Sequence, residues 1–412
     1  MNFRQAEEYL LSLELFGMRF GLDRMHRLMT VLGLPQRRFA SIHVVGSNGK
    51  SSTVRFAAAI LEREGLRTGS YTSPHLRSFR ERIEVGEESV SEADFAAAVT
   101  RAAEAAEMVN RTADPDDHVT QFEALTAAAY HELARRGVEV AVIEAGLGGR
   151  FDATNVIPSK VQVLTSVSLE HTRWLGPTLT DIAAEKLAVV HDHGTLVVGP
   201  LPHPVFAIAQ GVAADHHARL VAASPTQLSL RASGRFQEMN FGIAAAAAEA
   251  FLGRAVLDEA LKGAAAETVV PGRLEAVAQR PLVLFDGAHN PSGATALAGS
   301  LPDVFGSRRP RVAVVGVLED KDAAGMLETL LPHLDRVVFT RPENPRALSP
   351  ATLVTLAEKL GGPPAETVAG PRAALERARE LAGPEGAVIA TGSIYLIADL
   401  VREDAGARAS TL

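Results

Sequence analysis

Short apolar runs alternate along the chain with longer stretches whose apolar positions recur at helical spacing. Ser41-Ile42-His43-Val44-Val45 is one such run, and it ends in a glycine turn. The alanine-rich stretch behind it predicts a helix over 53–64. The run over 138–143 predicts a strand, preceded by a helix over 122–135. Runs over 161–167 and 194–198 follow the same style, with a helix over 179–189 between them. Strands apolar on both faces suit a parallel sheet covered by helices, so the expected fold class is α/β.

A second series starts near residue 280. Leu282-Val283-Leu284-Phe285, then the runs over 311–315, 336–340 and 387–391, predict four strands with helices between them. That is enough for a second, smaller α/β domain. The Pro271-Gly272 turn marks the boundary, and the expected division is 1–275 and 276–412. The tail from Asp404 to Leu412 is small and polar and is expected to be loose.

Composition narrows the function. The 412 residues are 47% hydrophobic and 22% charged, as in a globular protein with a sizeable core. The formal net charge of −8 argues against non-specific binding to nucleic acid or an anionic membrane, though not against a local anion site. The absence of cysteine removes disulfides, thiolate nucleophiles and cysteine–zinc sites. The acidic start lacks the pattern of a signal peptide, and no stretch approaches a membrane span, so a cytoplasmic location is expected.

Gly46-Ser47-Asn48-Gly49-Lys50-Ser51-Ser52 sits between a predicted strand and a predicted helix. Its glycines let backbone N–H groups turn toward an anion, the helix N-terminus adds its dipole, Lys50 can reach terminal phosphates, and a serine hydroxyl can ligate Mg²⁺. The usual motif has four residues between its glycines; here Val44 stands where the first would fall. Glu144 ends a predicted strand, where parallel sheets place ligands. Ser73, His171 and Lys186 are further candidates, each with a plainer alternative: Glu144 as a cap, His171 as a core histidine, Lys186 as a solvated helix residue. Gly146 to Gly149 lacks the helix opening and third glycine of a dinucleotide fingerprint. His191-Asp192-His193 reads as a surface turn with no third ligand.

Together these blocks resemble the folylpolyglutamate synthase/dihydrofolate synthase family of the Mur ligase superfamily. The resemblance rests on Phe16-Gly17-Met18-Arg19-Phe20-Gly21-Leu22-Asp23-Arg24, the phosphate loop, Thr72-Ser73-Pro74-His75-Leu76, Glu81-Arg82-Ile83, Gln121-Phe122-Glu123-Ala124-Leu125-Thr126 and the block from Glu144 to Asn155. In the second half it rests on Pro271-Gly272-Arg273-Leu274-Glu275, Asp286-Gly287-Ala288-His289-Asn290-Pro291 and Thr391-Gly392-Ser393. It implies a P-loop NTPase-like Mur ligase central domain and a smaller Rossmann-like C-terminal domain.

The resemblance further implies that ATP is held by Gly46, Ser47, Asn48, Gly49, Lys50, Ser51 and Ser52 with Asn240, Arg273 and Asp286. It places two Mg²⁺ ions on Ser52, Ser73, Glu144 and His171, and a carbamate from CO₂ on Lys186. Lys50, Glu144, His171 and Lys186 become the catalytic set. Gly21, Leu22, Asp23, Arg24, Thr120, Gln121, Phe122, Glu123, Phe151, Asp152 and Ala153 line the pterin-side pocket. The chain departs from the family at Ser51, Glu170, Leu187-Ala188-Val189 and Phe236, where Gly, Asp, Ala-Gly-Ile and His are usual. The implied activity joins L-glutamate to dihydropteroate, to tetrahydrofolate, or to both, through an acyl phosphate, in a monomer. The competing readings are a Mur-type ligase for another acid and a nucleotide-binding regulator.

Overall fold

The computed structural model describes residues 1–13, 21–114 and 117–402. Residues 16–20 of the N-terminal block and the tail from Asp404 to Leu412 lie outside the described residues. Within them, the first half carries β1 (Ala40–Val45), β2 (Thr68–Tyr71), β3 (Ile83–Val85), β4 (Glu88–Ser89), β5 (Val140–Glu144), β6 (Val161–Leu164), β7 (Thr195–Val198) and β8 (Arg219–Ala222). They form one sheet in the order β4-β3-β2-β5-β1-β6-β7-β8, antiparallel only at β2–β3 and β3–β4.

The pattern of side chains explains the layers. Along β1, Ile42 and Val44 enter a core shared with Val140, Val142 and the helices Lys50–Arg63 and Arg235–Leu252, while Val45 points into the core of Leu164 and Val198. Along β5, Ala141 and Ile143 face Tyr71 and Tyr130 on the other side. Two apolar faces per strand are what helices on both sides of a parallel sheet require. The register pairs Val44 with Glu144 across β1 and β5, and Val45 with Leu164 across β1 and β6. Three strand ends thus finish at one level.

The helix Lys50–Arg63 starts three residues before its predicted start at 53, because the phosphate loop itself supplies the first turn. The helix Gln121–Arg135 opens on a capping box in which Thr120 and Glu123 hold each other's backbone N–H groups. The helix Leu179–Leu187 ends two residues early. β6 stops at Leu164 rather than reaching 167: beyond it, Thr165 and Ser166 turn their hydroxyls to the Asn48 carbonyl.

The second sheet comprises β9 (Glu275–Gln279), β10 (Leu282–Phe285), β11 (Arg311–Val315), β12 (Arg336–Phe339), β13 (Ala365–Thr367) and β14 (Ala387–Thr391), in the order β13-β12-β11-β14-β10-β9. Four of these fall on the predicted runs. The other two are edges: β9 is mostly polar or exposed and antiparallel to β10, and β13 is short. Neither presents the double apolar face that marks a central strand. Among the described residues, no helix is long and apolar enough to cross a membrane.

Two outcomes are expected. Phe56 is fully buried and packs edge-on against Phe241 at 5.2 Å, joining two helices under the first sheet. Phe56→Ala is expected to cost about 3–5 kcal/mol in equilibrium urea unfolding; a loss below ~1 kcal/mol would show that neighbouring side chains close the cavity. His43, buried in β1 with Nε2 2.8 Å from Thr154 Oγ1, has its pKa lowered by burial, and secondarily by His191, from 6.5 to about 3. Between those values the unfolded chain binds a proton that the folded chain refuses, so stability falls as pH falls through this window. His43→Gln is expected to flatten the stability curve there, an effect on the order of a few kcal/mol at its acid end.

Candidate active site

A cavity of about 1180 Å³ opens at the carboxyl ends of β1, β2, β5 and β6 and is closed on its far side by the second half of the chain. The phosphate loop lies at its centre. Gly46 (φ 150°) and Gly49 (φ 85°) take backbone angles that side chains rarely adopt. A Cβ on Gly46 would stand 1.9 Å from Thr165 Oγ1, and one on Gly49 2.4 Å from Asn240 Oδ1. Both glycines are therefore required by what packs against the loop.

Lys50 curls back over the loop, donating to the carbonyls of Gly46 at 3.0 Å and Ser47 at 3.4 Å. Lys186 reaches the same Gly46 oxygen at 3.1 Å and pairs with Glu170 at 2.9 Å. It is buried, which corrects the reading of it as a solvated helix residue. Burial lowers its pKa, Glu170 raises it, and the nearby Lys50 charge lowers it further. Glu170 loses hydration too, yet Lys186 and Lys50 outweigh that and hold its pKa at about 2. The structure thus fits Lys186 as an ammonium; a carbamate here requires cations between it and Glu170.

Glu144, at the end of β5, accepts from the Ser51 hydroxyl at 3.0 Å and the Ser73 N–H at 3.2 Å. Burial raises its pKa against the opposing pull of Lys50. Ser51, a departure from the usual glycine, thereby holds the carboxylate. His171 adopts a left-handed backbone (φ 47°) before the helix Thr172–Leu175, and burial with the Lys321 charge lowers its pKa to about 4. Ser52, Ser73, Glu144, His171 and Lys186 all line the cavity. Among the described residues, no three His, Cys, Asp or Glu side chains gather into a closed metal cage. One carboxylate, several hydroxyls and one neutral imidazole suit Mg²⁺, which keeps positions for water and phosphate oxygen, better than zinc.

Asn240 faces Gly49 from the helix Arg235–Leu252 and donates to Gln237 at 2.9 Å. Arg273 lines the cavity beside Asp286. Asp286 follows β10; its carboxylate accepts from Leu274 N at 2.9 Å and Ala288 N at 2.8 Å, and burial raises its pKa against the Arg273 charge. His289 has its Nδ1 2.9 Å from the Gly287 carbonyl, a contact that selects the tautomer with Nε2 as lone pair. Burial lowers its pKa to about 4.

On the opposite side, Arg24, Thr120, Phe122, Glu123, Phe151, Asp152 and Ala153 line the same cavity. Arg24 is buried and paired with Glu123 at 3.0 Å and with Asp117. Asp152 accepts from Leu147 N at 2.8 Å and Thr154 N at 3.0 Å, and its burial raises its pKa. Four expected pocket residues are absent from the wall. Gln121 instead donates to the Leu10 carbonyl at 2.8 Å, tying two helices together, and Gly21, Leu22 and Asp23 lead into the helix Asp23–Val31.

The cavity also takes in residues that sequence reasoning did not select. Asp320, after β11, accepts from Lys321 at 3.1 Å and lies 3.4 Å from Arg346; these cations keep it ionised despite partial burial. Trp174 and Tyr395 line the cavity as well. The Asp320-Lys321-Asp322 triplet just beyond a parallel strand was the available signal, by the same rule that selected Glu144. His191-Asp192-His193 is a turn, as expected; Asp192 pairs with His216 at 2.7 Å.

The Mur ligase, glutamate ligase domain family matches residues 272–394. The chain is 33% identical over 427 residues to a probable bifunctional folylpolyglutamate synthase/dihydropteroate synthase of Haloferax volcanii; the match covers 97% of this chain and 50% of that protein, so the chain spans about half the length of this relative. It is 32% identical over 438 residues to the folylpolyglutamate synthase of Lacticaseibacillus casei, covering 98% of each. Among solved structures, the Mycobacterium tuberculosis folylpolyglutamate synthase complexed with ADP matches with a TM-score of 0.91 at 32% identity, covering 97% of each chain. With a phosphate loop, a buried carboxylate and two lysines at one sheet edge, and with the Lacticaseibacillus casei and Mycobacterium tuberculosis proteins alike along nearly their whole length, the chain belongs to the folylpolyglutamate synthase/dihydrofolate synthase family of the Mur ligase superfamily.

Proposed function

We propose that this chain is an ATP-dependent ligase that joins L-glutamate to dihydropteroate, to tetrahydrofolate, or to both. The observation that carries the reading is one continuous cavity. It holds the phosphate loop at its centre, an aromatic and acidic pocket of Phe122, Phe151 and Asp152 on one side, and Arg273, Asp286, His289 and Lys321 of the second half on the other. Nucleotide, acid and amine thereby have separate walls around a common middle.

The chemistry follows from charge. The substrate carboxylate attacks the γ-phosphorus of ATP, ADP departs, and an acyl phosphate forms; the glutamate amine then attacks the acyl carbon and phosphate leaves. Two anions must first be brought together, and Lys50 at the Gly46 carbonyl supplies positive charge where they meet. Mg²⁺, when bound through Glu144, Ser52, Ser73 and His171, supplies Lewis-acid stabilisation of the phosphoryl oxygens. His171 and His289 are neutral at physiological pH, so they offer lone pairs and add no positive charge. Burial that favours the neutral amine of Lys186 also favours its reaction with CO₂, which supports a carbamate once cations separate it from Glu170. The second half covers the site and shields the acyl phosphate from water.

Phosphate release from ATP is expected to need both glutamate and a pteroate or folate; release with neither would point to a regulator. A side-by-side assay with dihydropteroate and tetrahydrofolate separates the two acceptor activities, and failure of both to support turnover would favour a ligase for another acid. Lys186→Ala is expected to lower ligation by roughly 10³-fold, with ADP affinity changed by less than about tenfold and partial rescue by small carboxylates. Full ligation by this variant would remove Lys186 from the chemistry.

A further inference from the structure

The phosphate loop is bonded to both halves of the protein through one residue. The backbone of Asn48 belongs to the first half: its N–H donates to Ser166 Oγ at 2.9 Å, and its carbonyl accepts from Thr165 Oγ1 at 2.7 Å and Ser166 Oγ at 3.0 Å. Its side chain belongs to the second half. Asn48 Nδ2 donates to Asn290 Oδ1 at 3.2 Å, and Asn290 Nδ2 donates to Asn48 Oδ1 at 3.1 Å. The other side chains of the loop turn elsewhere: Lys50 to loop carbonyls, Ser51 to Glu144, Ser47 to the Ser168 backbone.

The pairing has a defined orientation. An amide pair can be drawn with both groups flipped and lose nothing. Here Asn290 Oδ1 also accepts from Gly293 N at 2.7 Å, as the N-cap of the helix Pro291–Phe305. That bond fixes which atom of Asn290 is oxygen, and so fixes which face Asn48 must turn to it. A Cβ on Gly293 would lie 3.2 Å from Asn290 Oδ1 and 3.4 Å from Asn48 Oδ1, so the helix end fits tightly over the pair. Asn290 is buried, and both amides are neutral, so the link is independent of pH and weakly screened by salt.

We propose that Asn290 is a positioning residue that fastens the phosphate loop to the covering half, so that the acyl phosphate made at the loop meets the amine before it meets water. This rests on the ligase reading above. Losing the link lets the two halves part while nucleotide stays bound, and the expected signature is wasted ATP.

The test compares Asn290→Ser with Asn290→Ala and Asn48→Ala, reading phosphate released per amide bond formed with all substrates present. Serine is a good N-cap but too short to reproduce the two-way amide contact, so Asn290→Ser should keep the melting temperature while raising the phosphate-to-amide ratio about fivefold, the weight of a neutral hydrogen bond. The Asn48→Ala/Asn290→Ala double variant should be no more uncoupled than either single variant. A wild-type ratio in Asn290→Ser, or additive uncoupling in the double variant, overturns the proposal. If instead the wild-type chain forms no amide, the ligase reading has failed and the ratio has no meaning.

Discussion

Two lysine ammonium groups converge on a single oxygen, the carbonyl of Gly46, and the site is organised around making that tolerable. Like charges this close repel strongly wherever water is excluded. The repulsion is offset by Glu170, which pairs with Lys186, by Glu144, which feels the Lys50 charge, and by the carbonyl dipoles that both lysines touch. The result is a concentration of positive charge held open beside a loop of N–H groups. It is an arrangement complementary to a polyphosphate anion.

The strand register makes that arrangement possible. The loop, Glu144 and Thr165 each leave the sheet at the same level because β1, β5 and β6 run parallel and in step. An antiparallel neighbour would have placed those ends on opposite edges. The two antiparallel strands of the first sheet, β3 and β4, lie at its margin, and β9 lies at the margin of the second, well away from the crossing point of the chemistry.

Much of this was legible in the residues, for physical reasons that differ from place to place. β10, β11 and β14 were recognisable to the residue because central parallel strands are apolar on both faces. The glycine turn between a strand and a helix, with Lys50, marked the phosphate loop. Lys186 could not be recognised from its helix alone, because a lysine in a polar helix looks the same whether it faces water or a carbonyl; only the fold buries it. Gln121 failed in the opposite sense, since its neighbours Thr120 and Phe122 reach the cavity while its own position on the helix faces Leu10. The Asp320-Lys321 pair stands beyond a parallel strand and was open to the rule that selected Glu144, whereas Arg346 joins it from a separate loop and carries no spacing signal.

The position of β1 also bears on how the molecule is made. It is the central strand of its sheet, yet both its partners, β5 and β6, come far later in the chain. During synthesis the segment that carries the phosphate loop emerges early and waits, with its apolar faces and hydrogen-bonding edges unsatisfied, while the intervening residues are added. The phosphate loop therefore gains both its flanking strands only once residue 164 has been made, and a nascent chain interrupted before β6 leaves one edge of β1 unpaired.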